Sequence, residues 1–138
     1  MTRVFNADVN ELTGVIDYLD DAIQVLNPGF RQTKKLELAL EESFVNIVSY
    51  AYPNGGGKVE IDIDIDEAKK TVSVTLIDEG IPFDPLSEKD PDVTLPAEKR
   101  KVGGLGIFLV KKNTDEQHYE YRDSKNIMNF KTTITSEA

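Results

Sequence analysis

Apolar and polar residues alternate along two neighbouring segments of the chain. In KVEIDIDID, residues 58–66, a valine and three isoleucines share one face, and acids line the other. This alternation predicts a strand of an antiparallel sheet with one face in water. TVSVTLID, residues 71–78, continues the pattern and predicts the neighbouring strand. Further strands are predicted at 2–6, about 116–123 and about 127–135, the last two flanking a DSKN turn.

Apolar residues at helical spacing predict three helices. Asp8 and Glu11 have the spacing of a capping box at the start of the first helix, which NPG ends at 27–29. The second helix runs from about Arg31 to Ala51. The third is short and begins at the glycines of GGLGIFLVKK.

The order of these elements predicts an α+β fold. Two helices, a hairpin, a long loop, a helix and a second hairpin are typical of a two-layer sandwich with helices on one face. We expect a mixed, mainly antiparallel sheet and a single domain over residues 1–138. Residues 80–102 contain four prolines and no clear period. A loop of this length in a compact domain is usually functional or disordered.

Composition limits the classes of function. Sixteen basic and 25 acidic residues give a net charge of -9, which argues against nonspecific nucleic-acid binding. A phosphate group can still be bound by backbone N–H groups. The absence of cysteine excludes disulfides and favours a reducing compartment. No segment has the length of an apolar membrane span or the apolar core of a signal peptide, so we expect a cytoplasmic protein.

The second predicted helix carries a polar stripe beside its apolar one. Glu42, Asn46 and Ser49 lie at i, i+4 and i+7. Glu42 could act as a general base, and Asn46 could offer its carbonyl oxygen to Mg²⁺, which prefers oxygen ligands. The alternative interpretation is a solvated helix edge.

Asp78 occupies an inward position of its strand, two residues after Leu76. A buried carboxylate must find hydrogen-bond donors or a charge partner. Gly80 would let a flat group approach the backbone, and the amino group of a purine would suit the acid. The alternative is a capping or turn aspartate.

Gly103, Gly104 and Gly106 precede the third predicted helix, so free N–H groups could point at an anion there. The alternative is a flexible hinge. NGGG at 54–57 does not open onto a helix and is interpreted as a plain loop. Together, the three places supply a metal ligand, a base-recognition group and a phosphate cradle, which are the parts of an ATP site.

Three motifs, in this order, resemble the N, G1 and G2 boxes of the Bergerat-fold (GHKL) ATPases. They are EESFVN, IDEGIPFDP and GGLGIFLVKK. The branch most similar is that of the stand-alone anti-sigma factors with serine-protein kinase activity, the RsbW and SpoIIAB type. The resemblance extends from about Phe5 to Ile134 and includes AYP and DEQHYEYRDSKN.

The resemblance implies roles for individual residues. Glu42 falls on the catalytic base and Asn46 on the Mg²⁺-binding asparagine. Asp78 falls on the aspartate that binds the adenine amino group, and Gly80 would line the adenine pocket. Residues 81–102 would form the ATP lid.

The resemblance also implies phosphate contacts. Three glycines would contact the phosphates: Gly103, Gly104 and Gly106. Arg100 or Lys101 could reach the γ-phosphate, and the motifs do not decide which.

The implied function is that of an anti-sigma factor with ATP-dependent serine-protein kinase activity. It would use ATP and Mg²⁺, bind a sigma factor and phosphorylate a STAS-type anti-anti-sigma antagonist in a partner-switching pathway. A homodimer is expected, without nucleic-acid or membrane partners. The alternative is a non-catalytic module that binds a nucleotide and switches partners.

Some positions depart from the family pattern. Tyr50 stands where members often have histidine, and Asn113 and Thr114 replace the usual apolar residues after the G2 helix. His118 alternates in phase with Glu120, which predicts a surface strand residue and not a phospho-acceptor.

Overall fold

Five antiparallel strands form the sheet of the computed structural model, which describes residues 1–87 and 104–135, with side chains from residue 106 onwards in the last helix. The strands are β1 (Thr2–Asn6), β2 (Lys58–Asp66), β3 (Thr71–Asp78), β4 (Glu116–Arg122) and β5 (Lys125–Thr133). Their order is β1-β2-β3-β5-β4, and every pairing among them is antiparallel. The predicted α+β class is confirmed, and the described sheet contains no parallel pair.

The helices are α1 (Leu12–Ile23), α2 (Phe30–Asn46) and α3 (Gly104–Asn113). Asp8 does not cap an α-helix as predicted. It caps a short 3₁₀ turn, Val9–Glu11, where its carboxylate accepts a hydrogen bond from the Asn10 backbone N–H. None of the helices described is long and apolar enough to cross a membrane.

The helix predicted to continue to Ala51 changes geometry after Asn46. Residues Ile47–Ala51 form a π-turn, and the Tyr52 N–H donates to the Ile47 carbonyl at 3.2 Å. Such single π-turns within helices are rare and are frequent at functional sites. Apolar spacing does not distinguish a π-turn from an α-helical turn, so the sequence pattern missed it.

The core lies between the helices and one face of the sheet, as predicted. The alternating inward residues of β2 and β3 are buried, except for the partly buried Ile65, while Asp64 and Asp66 on the opposite face are exposed. The largest side chains that are fully buried include Leu19, Ile23, Leu36, Leu40, Phe44, Ile61, Leu76 and Phe130. Burial of these side chains is the main stabilising term of the fold.

The β4–β5 hairpin closes with a two-residue turn. Arg122 pairs with Lys125, and Asp123 and Ser124 have φ values of 55° and 64°. Two consecutive positive φ values are the geometry of a type I′ turn, whose twist matches the flanking strands. β5 therefore begins at Lys125, two residues earlier than predicted, and Asn126 lies inside the sheet opposite Asp78.

Asn113 and Thr114 end α3 by hydrogen-bonding its last turn. Asn113 Nδ2 donates to the Leu109 carbonyl at 2.7 Å, and Thr114 Oγ1 donates to the Val110 carbonyl at 2.8 Å. Thr114 is buried. These polar residues thus satisfy helix carbonyls. His118, in contrast, is exposed on β4 as predicted.

Two acids face each other between α1 and α2. Burial, followed by a hydrogen bond with Glu37, raises the pKa of Asp20 to about 6. Asp20 Oδ1 has no hydrogen-bond partner among the residues described. Because the folded-state pKa lies above the ordinary value, stabilisation by the proton is present at low pH and is lost as pH rises through about 6.

We therefore expect Asp20→Asn to stabilise the protein at pH 7.5, by on the order of 1 kcal/mol after allowance for solvent screening. At pH 4.5 most of the gain should be lost, because the carboxyl of the folded parent is then mostly protonated. Thermal unfolding at both pH values measures the difference, with the exposed Asp21→Asn as the control. An equal gain at both pH values would contradict the assignment.

Candidate functional site

Glu42 and Asn46 meet the first turn of α3. A Cβ added to Gly106 would lie 2.8 Å from Glu42 Oε2 and 3.6 Å from Asn46 Oδ1. A side chain at Gly106 would therefore lie closer to the Glu42 carboxylate than normal van der Waals contact allows. Gly104 is the first residue of α3, where backbone N–H groups have no partner within the helix.

Some predicted phosphate-binding residues lie outside the described residues. They are Gly103, Lys101 and Arg100, together with residues 88–102 of the predicted lid. Their roles stay predictions.

The environment of Glu42 favours the neutral acid. Its side chain is half-buried, and burial, followed by repulsion from neighbouring Glu41, raises the pKa of Glu42. A carboxyl whose pKa is shifted towards neutrality is suited to proton transfer. The shift is consistent with the predicted general base but would also arise at a structural acid.

The polar stripe of α2 differs from the prediction at one member. Asn46 is 7% exposed and Ser43 is 5% exposed, whereas Ser49 faces solvent. The π-turn that follows Asn46 changes the angle between successive residues, so Ser49 leaves the stripe. Asn46 Nδ2 and Ser43 Oγ have no hydrogen-bond partner among the residues described.

Asp78 is 3% exposed at the end of β3. Its Oδ1 accepts two hydrogen bonds, from the Gly80 N–H at 2.9 Å and from Asn126 Nδ2 at 2.8 Å. Burial raises the pKa of Asp78, and these two bonds oppose the rise. Asp78 is therefore a turn aspartate, as the alternative interpretation expected. Oδ2 accepts no hydrogen bond within the described part of the chain, and its contact with a purine stays a prediction.

Gly80 packs against the π-turn. A Cβ at Gly80 would fall on the Ala51 carbonyl oxygen, and the Ile81 N–H donates to that same oxygen at 2.9 Å. The close approach that Gly80 permits is therefore to protein backbone. Its contact with an adenine ring stays a prediction.

Asn126 connects Asp78 to the segment that follows Gly80. Its role was not predicted from the sequence. Its Nδ2 donates to Asp78 Oδ1 and to the Ile81 carbonyl, and its Oδ1 accepts from the Phe83 N–H and the Tyr119 hydroxyl. All four hydrogen-bonding positions of the amide are used. The signal was present, because Asn126 is in phase with the inward Met128. The predicted start of the strand at 127 concealed it.

One small cavity is lined by two of the predicted site residues, Asn46 and Asp78. About 20 Å³ is free inside it, which is room for a single water molecule. Phe83 lines it and stacks on Tyr50 with ring centroids 4.9 Å apart. A purine ring needs more space, so its entry requires the lining residues to separate. The described lining residues are Ser43, Asn46, Ile47, Ala51, Asp78, Phe83, Pro85, Ile107, Asn126 and Met128.

The sequence pattern of the histidine kinase-like ATPase domain matches residues 5–132. The chain belongs to this ATPase family. Membership implies ATP binding, in agreement with the site predicted from the three motifs.

Curated relatives lie in the branch indicated by the motifs. The chain is 27% identical over 103 residues to the serine/threonine-protein kinase BtrW of Bordetella bronchiseptica, covering 75% of this chain and 69% of that protein. It is 28% identical over 104 residues to the serine-protein kinase RsbW of Listeria monocytogenes, covering 72% of this chain and 65% of that protein. The match thus spans about two thirds of the length of these relatives.

The fold also has a solved counterpart. The crystal structure of the RsbU and RsbW domains of Rv1364c from Mycobacterium tuberculosis superposes with a TM-score of 0.67 at 12% identity. The match covers 100% of this chain and 34% of that chain. The predicted Bergerat-type fold is therefore confirmed.

We expect Gly106→Ala to weaken ATP binding by about tenfold, because the added Cβ would fill the space at the start of α3, 3.6 Å from Asn46 Oδ1, where the phosphates and Mg²⁺ are expected. Calorimetric titration with ATP and Mg²⁺ measures the loss. The matched control is Gly14→Ala in α1, where the nearest atom to the new Cβ is Phe5 Cε1 at 3.8 Å. The control should gain up to about 1 kcal/mol of stability with unchanged ATP affinity. Equal ATP affinity in both variants would contradict the site.

We expect Asn126→Ala to lower the free energy of unfolding by on the order of 2 kcal/mol, because it leaves several buried partners unpaired. Urea unfolding gives the value. The control is Asn129→Ala, on the half-exposed outer side of the same strand, where Nδ2 donates to Ser73 and Thr75. If Asn126→Ala lowers the free energy of unfolding by less than the control does, the structural role assigned to Asn126 is wrong.

Proposed function

We propose that this chain is an anti-sigma factor that uses ATP and Mg²⁺ to phosphorylate a serine of a partner protein. The observation that carries the proposal is the meeting of Glu42 Oε2, Asn46 Oδ1 and Gly106 beside the cavity that contains Asp78. BtrW is named a serine/threonine-protein kinase and RsbW a serine-protein kinase, and these names support the reaction class.

Base recognition falls to Asp78. Its Oδ2, which accepts no hydrogen bond from the described residues, would accept one from the exocyclic amino group of adenine, while Asn126 and the Gly80 N–H donate to Oδ1. Carboxylate recognition of an amino group discriminates against a purine that carries a carbonyl there, because two acceptors would then face each other.

Asn46 fits the metal that ATP brings. No three Asp, Glu or His side chains cluster as a metal site in the described part of the chain. Mg²⁺ is commonly held by few protein oxygens together with phosphates and water, so the Asn46 Oδ1 would suffice as the protein ligand. Bound Mg²⁺ would neutralise charge on the phosphates.

Glu42 would orient the serine hydroxyl and accept its proton. The serine oxygen forms a bond to the γ-phosphorus while the bond from that phosphorus to the β–γ bridging oxygen breaks, and ADP leaves. The backbone N–H groups of Gly103, Gly104 and Gly106, together with Lys101, would stabilise charge on the transferred group.

The biological setting belongs to the same proposal. The chain would form one ATP-binding kinase domain over residues 1–138, with a lid at about 81–102. It would act in the cytoplasm as a homodimer, hold a sigma factor, and release it in a switch controlled by a STAS-type anti-anti-sigma antagonist.

We expect Glu42→Gln to retain ATP affinity within about threefold and to lose phosphoryl transfer to a STAS-type antagonist by about a hundredfold or more. Titration calorimetry measures binding, and transfer from radiolabelled ATP measures activity. The control is Glu41→Gln on the same helix, which should keep most of the transfer.

Three results would overturn parts of the proposal. Equal transfer by Glu42→Gln and the parent would remove Glu42 from its role. ATP binding without transfer in the parent would favour a non-catalytic partner-switching module. A parent that binds no ATP would refute the nucleotide site itself.

A further inference from the structure

Ser43 is a buried hydroxyl that the proposed reaction does not use. It lies in α2, three residues before Asn46, and is 5% exposed. Its Oγ has no hydrogen-bond partner in the described part of the chain. An unsatisfied buried polar group lowers stability by about 1–3 kcal/mol, so this hydroxyl calls for an explanation.

Other hydroxyls of this protein show what a helix normally offers. Thr33 Oγ1 donates to the Gly29 carbonyl at 2.9 Å, and Thr114 Oγ1 donates to the Val110 carbonyl at 2.8 Å. This bond to the carbonyl four residues earlier is the usual solution for Ser and Thr in helices. Ser43 does not make it and lines the cavity instead.

The cavity presents a set of unpaired groups that match the edge of a purine. Asp78 Oδ2 is an acceptor without a donor among the described residues, and Asn46 Nδ2 is a buried donor without an acceptor there. Ser43 Oγ can donate or accept. An adenine ring offers one amino donor and several ring-nitrogen acceptors, so Asp78 alone cannot satisfy it.

We infer that Ser43 is a base-recognition residue, whose hydroxyl donates a hydrogen bond to a ring nitrogen of the bound adenine, directly or through one water molecule. This inference rests on the proposed function and deepens it.

Removal of the Ser43 hydroxyl should have different effects on the stability of the free protein and on its affinity for ATP. In the free protein the hydroxyl has no partner among the described residues, so its removal should not lower stability. In the complex the hydroxyl is paired, so its removal should lower affinity. A hydroxyl with a purely structural role would lower stability when removed and leave affinity unchanged.

The test compares Ser43→Ala with Ser49→Ala, which removes an exposed hydroxyl three residues beyond Asn46. Without nucleotide, Ser43→Ala should unfold at the same temperature as the parent or higher. Calorimetric titration should show ATP binding about five- to twentyfold weaker than in the parent. Ser49→Ala should match the parent in both measurements.

Adenine analogues identify the contact itself. The parent and Ser43→Ala are titrated with the 1-deaza, 3-deaza and 7-deaza analogues of ATP, each of which lacks one ring nitrogen. The parent should bind one analogue more weakly than ATP, by the same factor that Ser43→Ala loses for ATP. Ser43→Ala should not distinguish that analogue from ATP.

Each contrary result has a distinct meaning. Equal ATP affinity in the parent and Ser43→Ala overturns the inference alone, as does a lower unfolding temperature of the free variant. Equal weakening of ATP and all three analogues in the variant also overturns it. A parent that binds no ATP overturns the proposed function and the inference with it.

Discussion

The hydrogen bond from Asn126 to Asp78 joins the end of the sheet to the segment that follows it. The bond exists because β3 and β5 pair with Asp78 opposite Asn126. That register depends on the two-residue turn at Asp123 and Ser124, since a slip of one residue would move Asn126 to the outer face. The Asn126 amide also hydrogen-bonds the Ile81 carbonyl and the Phe83 N–H. These bonds position the backbone that forms one wall of the cavity.

The helical side of the cavity depends on a second irregularity, the π-turn after Asn46. It brings the Ala51 carbonyl to the Ile81 N–H, so the segment after β3 is anchored both to the helix layer and to the sheet. A regular α-helical turn would direct that carbonyl elsewhere. Gly80 is required between the two anchors because a side chain there would meet the Ala51 backbone. The cavity thus lies where two layers are joined by one short segment.

Several polar side chains in this region lack hydrogen-bond partners among the described residues, or are carboxyls whose charged form is disfavoured by burial. Asn46 Nδ2 and Ser43 Oγ lack partners among the residues described, and burial raises the pKa of both Asp78 and Glu42. Each of these features lowers the stability of the free fold. Ser43, Asn46 and Asp78 line one cavity, and such a cluster is typical of a binding site, where a ligand supplies the missing partners. The family to which the chain belongs explains which ligand that is.

The pattern of residues along the chain indicates the class of the fold and the candidate groups of the site. Alternation along β2 and β3 located both strands to the residue, because side chains of a one-sided strand must alternate between core and water. The spacing of Glu42 and Asn46, the inward phase of Asp78 and the glycine before Ile107 identified candidate groups, because each breaks a packing rule that apolar residues obey.

How these groups are connected depends on contacts that form when the chain folds. The burial of Ser43 and the hydrogen bonds of Asn126 arise from contacts between segments far apart in the chain. The π-turn packs against one such segment, at Gly80 and Ile81. Local periodicity cannot report them, because a polar residue in an inward position looks the same whether its partner is water, backbone or another side chain. The partner of Asp78 is 48 residues away, and only folding brings it within hydrogen-bonding distance.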